Sequence, residues 1–132
     1  TYTPRMRDAH RKVEEEMRRS FAVAEASRRV IELPGGVSVV GAVCDGYPSE
    51  IADRWGKAIP NAVFVLFDLK SGAISYRRSP DCAVDLSKLA ESFGGGGHPA
   101  AAGSEMPELL TMVGAGAAER AAAVIRTLEA KR

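Results

Sequence analysis

The chain has 132 residues, 45% of them hydrophobic and 27% charged, the size and make-up of one globular domain with its own core. Collagen-like, wholly disordered and disulfide-dense classes are excluded on that composition. Lys and Arg number 18 against 17 Asp and Glu, so the net charge is only +1 and phosphate affinity must come from a local constellation.

Cys44 and Cys82 lack C-x-x-C spacing and read as two incidental thiols of a reduced, cytoplasmic protein. His10 and His98 are the only histidines, too few for a zinc-like or binuclear cluster built on imidazole, so no metal is expected on this chain. No apolar run approaches the roughly 18 residues that span a bilayer, and the charged N-terminal stretch is no secretory signal; no membrane partner is expected. The opening at Thr1 rather than Met fits a processed chain or a piece of a longer one.

Residues 4 to about 32 are predicted to form one long helix. Thr3 caps it, Pro4 suits its first position, and Pro34-Gly35-Gly36 stops it. Met6, Val13, Met17, Phe21 and Ala24 fall on one apolar stripe. Glu14 with Arg18, Glu15 with Arg19 and Glu25 with Arg29 are spaced for i,i+4 pairs on the solvated side. Such a stripe needs a partner: this domain, a second copy in a homodimer, or a neighbouring domain.

After the Pro-Gly-Gly break, Val37–Val43 reads as a strand and Ser49–Gly56 as a short helix behind Pro48. Ala62–Leu69 reads as a strand buried on both faces, so a parallel crossover is expected. Lys70-Ser71-Gly72 turns the chain into Ala73–Arg78, an antiparallel neighbour, and Asp85 caps a helix running through Phe93. The Ala-rich tail is predicted helical from about Ala117 to Ala130, with Gly114 and Gly116 blurring what precedes it. The sum is an α/β fold, a mixed β-sheet flanked by helices and preceded by a long N-terminal helix.

One stretch carries chemistry: Phe93-Gly94-Gly95-Gly96-Gly97-His98-Pro99-Ala100-Ala101-Ala102-Gly103. Four successive glycines oppose folding entropically and make sense where backbone approaches a ligand without a Cβ in the way. Pro99 and the three alanines favour one helical turn closed by Gly103, whose free N–H groups, with those of the glycines, would converge on an anion beside His98 as donor. A mobile hinge is the competing reading. A P-loop is set aside because His98-Pro99 stands where Lys and Ser/Thr belong. A dinucleotide fingerprint is set aside because the glycines follow a helix rather than a strand.

Gly94-Gly95-Gly96-Gly97-His98 with Ala101-Ala102-Gly103 resembles the signature of the C-terminal, DHH-associated domain of DHH-superfamily phosphoesterases. Ile74-Ser75-Tyr76-Arg77, Val84-Asp85-Leu86-Ser87-Lys88-Leu89-Ala90 and Ser49-Glu50 resemble further segments of that domain in the same order. The likeness runs from about Val37 to Gly103, and the nanoRNase and linear-dinucleotide phosphodiesterase branches are closest in style. It implies a division of labour. An N-terminal domain holds two divalent cations, usually manganese, that activate water. The C-terminal domain grips the substrate, a nucleotide or short oligonucleotide. No Asp-His-His motif occurs here, and Asp8-Ala9-His10 reads as solvated surface of the charged helix. Residues 1–35 are therefore expected as an arm linking to an N-terminal catalytic domain, with residues 36–132 as the substrate-binding domain. This chain is expected to bind, not hydrolyse, and Mn2+ is expected only in the catalytic domain.

The resemblance assigns substrate contacts to Gly94, Gly95, Gly96, Gly97, His98, Ser75, Arg77 and Ser49. A guanidinium suits phosphate bidentately, although Arg77 also reads as a surface strand arginine. Ser75 shares the face of Arg77 and also reads as a satisfied strand serine; Ser49 also reads as a helix cap. Arg78 is expected exposed on the opposite face, and Tyr76, Trp55 and Phe64 as core. Ser104-Glu105-Met106-Pro107 departs from the family's apolar strand, so an edge strand is expected to be short or missing. Similar domains end the alanyl-tRNA synthetases, which leaves a non-catalytic nucleic-acid-binding or dimerisation module as the alternative.

Overall fold

The computed structural model describes residues 2–131. Helix α1 spans Pro4–Ser27, capped by Thr3, whose hydroxyl accepts from the Met6 N–H at 3.1 Å. The helix stops five residues short of the expected end, because Val30 and Ile31 are β-branched and Arg28 is already extended (φ −62°, ψ 131°). Residues Arg29–Glu32 form instead strand β1, which turns at Pro34-Gly35-Gly36 and pairs antiparallel with β2, Ser38–Cys44.

Helix α2, Pro48–Ala58, crosses to β3, Ala62–Asp68, which runs parallel to β2 as expected. Then follow β4, Ala73–Arg78, antiparallel to β3, and α3, Leu86–Glu91. The glycine segment forms β5, Gly96–His98, and turns into β6, Ala101–Glu105; α4, Glu108–Ala130, ends the chain. The six strands order as β1-β2-β3-β4-β6-β5, one mixed sheet in an α/β fold.

One expectation falls here. Residues 99–103 make no helical turn: they are the turn and start of β6, which slots between β4 and β5. The edge strand is short, as expected: β5 has three residues, and β6 runs only through Ser104-Glu105 beyond Gly103. Helix α4 begins earlier than the sequence suggests and passes straight through Gly114 and Gly116.

The helices roof the sheet in a staggered way. On one face α1 and α2 cover β2 to β4, with Ala24, Val40, Ile51, Trp55, Phe64 and Leu66 as core. On the other, α3 covers β4, β6 and β5, with Ile74, Tyr76, Leu86 and Ala90 beneath it. Trp55, Phe64 and Tyr76 are buried as core, as the sequence implies. Of the α1 stripe only Phe21 and Ala24 meet the core; Met6 and Val13 are exposed. The buried Ser20 hydroxyl replaces them as anchor, donating to the Gly46 carbonyl at 2.6 Å and accepting from Asp45 N–H at 2.8 Å.

The expected ion pairs of α1 do not form. Glu16 accepts from the Tyr47 hydroxyl, Glu25 accepts from the Trp55 indole at 2.9 Å, and His10 pairs with Glu14 on the solvated surface. Cys44 and Cys82 are buried free thiols, and burial pushes the Cys44 thiol up to about 11. Among the described residues no helix is long and apolar enough to cross a membrane.

Candidate functional site

Strand β4 sets the site. Ile74 and Tyr76 point to the α3 side, so Ser75 and Arg77 share the other face, the one that α2 covers only in part. The register carries this face outward. Ser75 stands opposite Gly103, and Gly103 opposite Gly96. One step on, the ladder brings Arg77 level with Ala101, which pairs with His98. Two lines therefore cross β4, β6 and β5 on one face, Ser75–Gly103–Gly96 and Arg77–Ala101–His98. With strands spaced at about 4.8 Å, the backbones of Arg77 and His98 lie roughly 10 Å apart.

Helix α2 walls this floor. Ser49, Ala52, Asp53, Gly56 and Lys57, spaced as one helical side, line a cleft of about 220 Å³ with Arg77, Arg78 and Ala100. Ser49 is not a cap: Tyr47 holds the N-cap position of α2, and no side chain bonds there. Ser75, Gly94, Gly95 and Gly103 line a separate depression that shares no residue with this cleft. Gly96 and His98 lie on the exposed edge strand.

The electrostatics favour an anion. Lys57 and Asp53 pair at 3.4 Å on the exposed rim and offset each other, leaving two guanidiniums. Arg78, expected exposed, is half-buried and donates from Nη1 to the Val84 carbonyl at 2.7 Å, so its role is partly structural. Arg77 is different. Its Nε is buried without a hydrogen-bond partner among the described residues, and none of their ion pairs involves it. A buried donor left unmade costs about 1–3 kcal/mol, and Arg77 also lines the cleft from which an anionic oxygen would approach its guanidinium.

The glycines divide by duty. Gly94, at φ +80°, closes α3: its N–H donates to Glu91 O at 3.0 Å and that of Gly95 to Ala90 O at 2.8 Å, a Schellman ending. Those two amides are therefore spent inside the protein. A Cβ on Gly97 would sit 2.7 Å from the Ala102 Cα, so that glycine serves strand packing. A Cβ on Gly96 meets nothing within 4 Å. His98 is exposed, and its Nδ1 accepts from Ala100 N–H at 3.1 Å, which puts the proton of the neutral ring on Nε2, free to donate outward.

Arg77 and Ser49 thus share one cleft, Ser75 lies in a separate depression, and Gly96 and His98 stand on the exposed edge strand of the same sheet face, while the helix terminus that the sequence suggested is lost. Sequence reasoning missed the α2 wall; the i,i+4 spacing of Ser49, Asp53 and Lys57 was its available signal. Among the described residues no group of three or more His, Cys, Asp or Glu side chains is placed to hold a metal ion.

No family model matches the chain, and no curated protein does. Solved structures do match. One is an uncharacterized protein from Helicobacter pylori G27, 21% identical over 62% of this chain and 23% of that one, with a TM-score of 0.48. Another is the pGpG-specific phosphodiesterase PggH from Vibrio cholerae, 13% identical over 92% of this chain and 44% of that one, with a TM-score of 0.54. This chain thus spans less than half the length of either, and what it shares with PggH is the fold.

Proposed function

We propose that this chain forms the substrate-binding domain of a DHH-superfamily phosphodiesterase, holding the phosphate of a nucleotide or short oligonucleotide, with α1 and β1 part of the same folded unit. The exposed N-terminal end of α1 then leads toward a catalytic domain that carries the manganese and the hydrolytic chemistry. The observation that carries the reading is the buried, unpartnered Nε of Arg77 in a cleft whose other exposed charges cancel. The likeness in fold to a phosphodiesterase supports it, as does the glycine-histidine motif lying on the same sheet face as Arg77. Two buried, free thiols fit a reducing, cytoplasmic setting.

In this reading Arg77 grips a phosphate oxygen, Ser49 and Ser75 hydrogen-bond beside it, and His98 Nε2 donates from the far side across the bare Gly96 backbone. The test is titration calorimetry with a 5′-phosphorylated diguanosine dinucleotide. Arg77→Ala and His98→Ala are each expected to weaken binding roughly tenfold or more, the loss of one charge-assisted hydrogen bond. Arg77→Ala should leave thermal stability level or higher, since it removes an unpaired buried donor. Unchanged affinity in both variants excludes the assignment.

A further inference from the structure

Helix α4 has no buried residue. Its large apolar side chains Leu110, Val113, Val124, Ile125 and Leu128 are between 53% and 69% exposed. With Ala117 and Ala121 between them they recur at steps of three and four, one continuous stripe along about 27 Å of helix. The helix carries Glu108, Glu119 and Glu129 against Arg120 and Arg126, so it lacks the basic face that draws a helix to anionic lipid.

The sheet has the matching deficit. On the α3 side no helix packs on β1 or β2, while Val63 and Phe67 of β3 are already buried there. There a groove of about 480 Å³ is walled by Leu33, Val39, Val65 and Phe93. It continues across the same face past Ile31 and Val43 in a second groove of about 450 Å³. Leu109, in the first turn of α4, lines both, so the helix is rooted in this face. Because α4 runs unbroken through Gly114 and Gly116, its outer stripe leads away from the sheet it starts on.

We propose that two copies of this chain associate by exchanging α4, each laying its Leu110–Leu128 stripe along the open apolar groove over β1 and β2, as far as Val65 of β3, of the other. Both halves of the contact are present on one chain, so a two-fold axis closes it and leaves neither surface in water. Burying an aliphatic side chain removes about 60–120 Å² from water. Five per helix, matched by the groove and doubled by symmetry, bury roughly 1,200–2,400 Å², the range of stable interfaces. The inference stands apart from the phosphate reading and uses none of its residues.

Light scattering from about 1 to 100 μM is expected to give twice the 14.0 kDa chain mass. Val124→Glu with Leu128→Glu should give a monomer of unchanged circular dichroism, since neither position is buried. Ile31→Cys and Ile125→Cys, placed in two differently tagged copies and oxidised together, should cross-link between copies. A monomer across the whole range, a dimer that survives the double glutamate change, or a bond forming only within one chain carrying both cysteines would each overturn the proposal.

Discussion

Gly96 separates two demands that a run of glycines confounds. Gly94 is needed for a left-handed helix ending and Gly97 for close approach to Ala102, both met within the chain. Gly96 answers to no neighbour. Gly97→Ala is therefore expected to cost about 1–3 kcal/mol in denaturant unfolding. Gly96→Ala should leave that midpoint unchanged yet weaken dinucleotide binding several-fold. Equal effects at both positions would mean that the segment serves the fold alone. The sequence shows that backbone must come close to something here. It does not show to what, because a strand and a ligand make the same demand of a missing Cβ. Arg77 is legible as a strand arginine, whereas its unpartnered nitrogen is a property of packing that no spacing encodes.

Elements with strong local signals are where the sequence expects them. The β2–α2–β3 crossover, the β3–β4 pair and the Asp85 cap all follow from apolar runs and turn residues. The failures share a cause: strand formation at Arg29–Glu32 and at 96–105 depends on partners distant in sequence, and local propensity is overridden by pairing. Asp85 offers a test at this scale. Its carboxylate accepts from the Ser87 hydroxyl and from the N–H groups of Ser87 and Lys88, and these bonds hold it below the usual carboxylate range. A depressed folded value means that its contribution is complete above the ordinary carboxylate value and is lost as pH falls through the folded one. Thermal scans between about pH 6 and 2 should show a fall in Tm that is shallower in Asp85→Asn. Parallel curves for the two proteins would remove the cap from the acid response.

At the scale of the whole molecule the charge balance matters more than any single contact. On the proposed reading, a net charge of +1 and a cleft holding two guanidiniums suit one phosphate or two, not a long track. Binding of a short oligonucleotide is expected to fall with salt at a log–log slope of about −1 to −2. A slope several times steeper would favour an extended nucleic-acid footprint, as a tRNA-contacting module requires.

The staggered roofing of the sheet has a further consequence. Each helix layer stops short at the opposite end, so the two unroofed quadrants are diagonal to each other, one set with arginine and glycine, the other greasy. What settles on one therefore neither crowds nor shields the other, and a single thin sheet can serve two guests at once without either having to leave.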